Sequence, residues 1–174
     1  MKSRQHRLSP VLVVVLIVGA TALRATTLLR YDLWYDELYS VFTALGDLPQ
    51  LWASAVADRV HPPLFYLTLW GWLKVVEPTP AALRLLPLGL YVAAILASWW
   101  AGAALSPRGR AVTALAVAVS PIVFEAGAEL RGTILLVTLL ALAIGAVRRL
   151  TTPEGHRPAD RAILVAAAIA ATWT

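Results

Sequence analysis

The chain has 174 residues, 59% of them hydrophobic and only 14% charged, with a formal net charge of +5. A soluble domain averages about 25% charged residues, and here the apolar residues come in long blocks, so the composition points to a membrane protein. The absence of cysteine excludes disulfides and thiolate chemistry; His6, His61 and His156 are too far apart for a metal-ligand spacing, and the scattered basic residues argue against nucleic acid.

In chain order, the first predicted span is 8–29, "LSPVLVVVLIVGATALRATTLL", preceded by the basic "MKSRQHR", which the positive-inside rule keeps in the cytoplasm. A cleaved secretory signal is the alternative, with Ala20-Thr21-Ala22 as a small-residue cleavage pattern, but the apolar stretch continues past it. Arg24 lies about 24 Å along this span, near its outer end, where a long side chain can reach the interface.

An external loop is predicted over 30–81. It opens with "LWYDELYS", in which Asp36 and Glu37 sit among Trp34, Tyr35 and Tyr39. The following "SVFTALGDLPQLWASAVAD" carries apolar residues at helical spacing and predicts a helix or two along the membrane surface. "HPPLFYLTLWGWLKVV", 61–76, reads either as a span or as an interfacial helix. If it is interfacial, the basic flanks 1–7, 107–110 and 148–161 all fall inside, and eight of the ten acids fall outside. That arrangement is favoured, and Tyr66, Trp70, Trp72 and Lys74 suit headgroup depth.

Further spans are predicted at 82–104, 109–124, 131–148 and 162–174. The apolar core of the third, 111–124, covers only about 21 Å against a hydrocarbon layer of about 30 Å. Trp99 and Trp100 read as belt residues at the cytoplasmic end. The last segment stops without a polar flank, so the expectation is a single incomplete transmembrane domain, the N-terminal piece of a larger protein.

This topology gathers chemistry-bearing residues on one side: Asp36, Glu37, His61, Arg84, Glu129 and Arg131, with Arg24 just below and Glu125 beside the outer turn. Arginine suits a phosphate because its planar fork donates two hydrogen bonds and stays charged. A carboxylate suits removal of a proton from an attacking hydroxyl, and negative charge favours a glycosyl carbon reacting with oxocarbenium character. The combination fits a donor sugar carried on a lipid phosphate. If the stretch from Asp32 to Asp36 is helical, the two share a face, and a divalent ion, Mg or Mn, becomes an option. Glu125 and Glu129 would share a helical face in the same way. Two alternatives from other classes are a membrane transporter fragment, in which ionisable groups mark a pathway, and a non-catalytic membrane assembly subunit. A transporter should hold its ionisable groups near the midplane, whereas these lie at one surface.

The order of an aspartate-glutamate pair after the first span, "HPPLFYLTLWGW", "PAALRLLPLGLY" and "SPIVFEAGAELRG" resembles the multi-pass glycosyltransferases of the GT-C class, in the branch of the protein O-mannosyltransferases and aminoarabinose transferases. The resemblance covers roughly 24–150. It implies an all-α integral membrane protein, the N-terminal part of a GT-C transmembrane bundle with a partly helical external first loop. It also implies a polyprenyl-phosphate sugar donor, a glycan, lipid or protein acceptor, and a site on the external side of the cell membrane. By this resemblance Asp36 is the catalytic carboxylate, with Glu37 beside it. Arg84 approaches the donor phosphate, and the second external loop supplies Glu129 and Arg131. In relatives an aromatic follows that second-loop arginine; here Gly132 and Thr133 do.

Overall fold

The computed structural model describes residues 10–28, 32–58, 63–102, 105–152 and 157–174. These residues form an all-helical structure, with no strand among them. The helices are α1 (Pro10–Leu28), α2 (Tyr35–Leu45), α3 (Leu48–Ala57), α4 (Pro63–Leu73), α5 (Pro80–Ala101), α6 (Pro107–Val119), α7 (Pro121–Ala126), α8 (Thr133–Leu150) and α9 (Pro158–Thr172).

Local chemistry sets many of the boundaries. Pro80, Pro107, Pro121 and Pro158 each occupy a first helical position, where the missing N–H costs nothing and φ is already helical. Thr79 Oγ1 accepts from Ala82 N at 3.2 Å and Ser106 Oγ from Gly109 N at 3.2 Å, each satisfying an otherwise orphaned donor. At α3, Asp47 Oδ1 accepts from Gln50 N at 2.8 Å while Gln50 Oε1 accepts from Asp47 N at 3.4 Å, a reciprocal cap.

Among the described residues three helices are long and apolar enough to cross a membrane: α1 over Val11–Leu28, α5 and α8. The 109–124 segment expected as one span is two helices, because Pro121 cannot continue the hydrogen-bond ladder of α6. At 13 and 15 residues, α6 and α9 are shorter than the apolar layer a lone helix must cross. Much of the outer surface is apolar, with Val11, Val15, Leu96, Ile144 and Ile169 exposed, as a lipid-facing surface requires.

The packing fixes the directions. Arg84 meets Ala128, Thr138 Oγ1 lies 3.3 Å from Leu90 O, and Gly145 abuts Trp100, so α5 and α8 run parallel. Tyr91 donates to Ala118 O at 2.5 Å and Gly102 abuts Arg110, so α6 returns antiparallel. Gly132 abuts Thr174, which makes α8 and α9 an antiparallel hairpin. Small residues line these contacts, including Ala94, Ala114, Ala118, Ala146 and Ala167, and let backbones approach closely. Gly145 is the tightest point. A Cβ there would stand 2.4 Å from Trp100 Cζ3 and 2.8 Å from Ala101 Cα.

Helices α2, α3 and α4 cap one end. Their core joins Val41, Ala44, Leu51, Ala55, Phe65, Tyr66 and Leu69 to Leu83 of α5 and to Leu130. Both ends of α4 touch that end of the bundle. Leu64 N donates to Trp173 O at 2.8 Å, and Trp72 Nε1 donates to Ala82 O at 2.9 Å. With 11 residues, α4 is about 16 Å long and lies across the bundle end instead of running through it. The opposite end is basic. There the Arg110 guanidinium sits 5.7 Å from the Trp99 ring and that of Arg149 sits 4.3 Å from the Trp100 ring, both within cation–π range.

Candidate active site

Asp36 and Glu37 are adjacent in the first turn of α2, and successive helical side chains diverge by about 100°. That divergence gives them different environments. Glu37 is fully buried, whereas the Asp36 side chain retains 47% exposure.

Glu37 meets Arg84 side by side. Arg84 Nη1 donates to Glu37 Oε1 at 2.5 Å and Nη2 donates to Oε2 at 2.9 Å. The carboxylate also accepts from Leu130 N at 2.8 Å and from Trp34 N at 3.2 Å. The guanidinium also donates from Nη1 to Ala128 O at 2.9 Å and from Nη2 to Asp32 O at 2.8 Å. One ion pair therefore ties together the approach to α2, the first turn of α2, the N-terminal part of α5, and the 128–130 turn. Of the Arg84 donors only Nε is left buried without a partner among the described residues; a paired interior charge of this kind is tolerated, and removing one partner leaves the other charge uncompensated.

The second acid–base set lies beside it and is partly open. Arg131 Nη2 donates to Asp36 Oδ2, and Arg131 Nε lies 3.8 Å from Glu129 Oε2. The Arg131 guanidinium also sits 4.9 Å from the Trp34 ring. Asp36, Glu129, Arg131 and Trp34 thus form one cluster at the capped end. Nearby, Tyr66 donates to Asp58 Oδ2 at 3.0 Å; burial and that bond push its phenol above the ordinary range, so it stays a donor.

Arg24 takes a different position. It is 2% exposed, and its guanidinium carbon lies 3.9 Å from the centroid of the Phe124 ring. Arg84, Tyr91 and Glu125 are within its electrostatic reach. Its Nε and Nη2 are buried without a hydrogen-bond partner among the described residues.

Several expected groupings differ. Helix α2 starts at Tyr35, so Asp32 precedes it and shares no helical face with Asp36; Asp32 contributes its carbonyl, while its carboxylate is not part of this network. Among the described residues no three His, Cys, Asp or Glu side chains converge on a metal-sized site. Helix α7 ends at Ala126, so Glu125 and Glu129 do not share a helix, and Glu125 is exposed. Arg84, expected near a phosphate, instead has both Nη groups occupied by protein oxygens. His61 lies outside the described residues. Sequence reasoning missed Trp34 beneath Arg131, Phe124 beneath Arg24, and the backbone partners at Ala128 and Leu130. Tryptophan and phenylalanine beside acids gave a hint of the stacking, but backbone partners leave no mark in residue identity.

No family profile, curated protein or solved structure matches the chain.

Proposed function

We propose that this chain forms the donor-side part of a membrane glycosyltransferase of the GT-C kind, which moves a sugar from a polyprenyl-phosphate carrier to an acceptor hydroxyl at the external face of the cell membrane. The observation that carries this reading is the half-open Asp36–Arg131–Glu129 cluster, held at one end of an apolar helical bundle by the buried Glu37–Arg84 pair. A carboxylate and cations at headgroup depth are what a lipid-phosphate donor needs.

In this reading the bond between the sugar carbon and the phosphate oxygen breaks as the acceptor oxygen bonds to that carbon. The acceptor proton passes to Asp36, and the lipid phosphate departs as an anion. Arg131 meets Oδ2 of Asp36, and in this reading Oδ1 receives the proton. Arg131 also places positive charge beside the departing phosphate, and Glu129 orients Arg131. Glu37 and Arg84 are positioning residues that fix α2 against the 128–131 turn. The capped end faces outward because the basic residues Arg108, Arg110, Arg148 and Arg149 sit at or near the other end.

The test is transfer of labelled sugar from a polyprenyl-phosphate donor by membranes carrying the full-length protein. Absence of any Asp36-dependent transfer across a panel of hexosyl and pentosyl donors would overturn the reading.

A further inference from the structure

We infer that Arg24, and not Arg84, receives the phosphate of a lipid-linked ligand; the inference rests on the transferase reading for the lipid part alone.

Arg84 is fully engaged where it counts. Its four Nη hydrogens point to Glu37 Oε1, Ala128 O, Asp32 O and Glu37 Oε2. Only its Nε–H remains, and a single donor cannot form a fork. Arg24 presents the opposite picture. Its guanidinium is almost completely buried, and the two atoms without a partner are Nε and Nη2. Those two donate from the same edge of the guanidinium plane, side by side, in the geometry that receives two oxygens of one phosphate. Phe124 covers one face of the plane and competes for no hydrogen bond, so the edge is left for a ligand.

The charge count agrees. Among the described residues of the capped end the buried charged side chains are Arg24, Glu37 and Arg84. Glu37 neutralises Arg84, which leaves one positive charge without a buried counterion. An unpaired interior charge is costly, and an ionisable residue at membrane depth is a functional-site candidate by default. Depth selects the kind of anion. Arg24 lies four residues before the end of α1 at Leu28, or about 6 Å below it, from where a long side chain reaches up to the interface that holds a lipid phosphate. The structural rival is Glu125, which is exposed and near enough to act on Arg24.

The experiment measures ligand retention by native mass spectrometry on the full-length protein, with thermal melting alongside. The probes are a long-chain polyprenyl monophosphate, the matching neutral polyprenol, an anionic phospholipid and inorganic phosphate. Arg24→Gln should weaken polyprenyl phosphate about tenfold or more, leave polyprenol unchanged and not lower the melting temperature. Arg24→Lys should fall between, and Glu125→Gln should keep binding. Unchanged polyprenyl-phosphate binding in Arg24→Gln would overturn the inference while leaving the transferase reading intact. Equal melting losses in Arg24→Gln and Glu125→Gln, with binding kept, would overturn it in favour of a structural pair. Arg24-dependent binding of phospholipid or inorganic phosphate, with no preference for the polyprenyl carrier, would uphold the phosphate site and remove the transferase reading.

Discussion

Glu37 and Arg84, 47 positions apart in the chain, meet through two parallel hydrogen bonds in the interior of the capped end. The pair is the mechanical link between the first turn of α2, the N-terminal part of α5 and the 128–130 turn. Its loss should therefore be a stability defect before it is a chemical one. Glu37→Gln and Arg84→Gln should each cost about 3–5 kcal/mol, as breaking one side of a buried pair does. Arg84→Lys should rescue little, because one ammonium cannot span Glu37, Ala128 and Asp32 together. Thermal melting in detergent checks this, and a melting temperature within a degree or two of wild type would reassign the pair to the surface.

Asp36 should behave in the opposite way. Its side chain is half exposed and pairs with the partly exposed Arg131, so Asp36→Asn should leave folding and insertion intact. Exposed ion pairs contribute about 1 kcal/mol or less. Transfer should nevertheless fall by about 10²–10⁴-fold, the usual contribution of a general base. Near-normal transfer would sink the assignment and turn attention to Glu129.

Gly145→Ala sets two effects against each other. Alanine in a helix gains about 1 kcal/mol over glycine by propensity, but here the new methyl would meet Trp100 and the backbone of Ala101. Overpacking costs about 1–3 kcal/mol and should win, because backbone cannot swing aside. Trp100→Leu should therefore restore only part of the lost melting temperature. Full restoration would show that the ring, and not the α5 backbone, sets the spacing.

The two ends of the bundle should lie on opposite sides of the membrane. Ser54 on α3 and Ser106 before α6 are both exposed. A cysteine at position 54 should react with an impermeant thiol reagent from outside in intact cells, and one at 106 only after permeabilisation. Labelling of both from outside would place α4 across the bilayer.

Hydropathy and charge made the long helices legible, since α1, α5 and α8 carry apolar runs long enough to register without tertiary context. The helix starts were less legible: the expected spans began at 82, 109 and 162, whereas the helices begin at Pro80, Pro107 and Pro158. The site was legible only as a list of residues. Asp36 and Glu37 have the same neighbours in sequence, so nothing local says which is buried; the answer lies 47 residues away in Arg84 and further still at Leu130 N. The supposed Asp32–Asp36 face failed because a pattern of spacing assumes a helix, and this one begins at Tyr35. The Glu125–Glu129 face failed for the same reason. The chain turns at Gly127, where a Cβ would stand 3.2 Å from the Tyr91 side chain.

The turn at 128–131 has a further consequence. It receives Arg84 at Ala128 and Glu37 at Leu130, then presents Arg131 to Asp36. The bonds that seat the cap on the bundle are one or two residues from those that aim the reactive cluster. No intermediate with a folded bundle and a loose cap can keep the cluster in register, so heat inactivation and loss of tertiary structure should be a single cooperative transition.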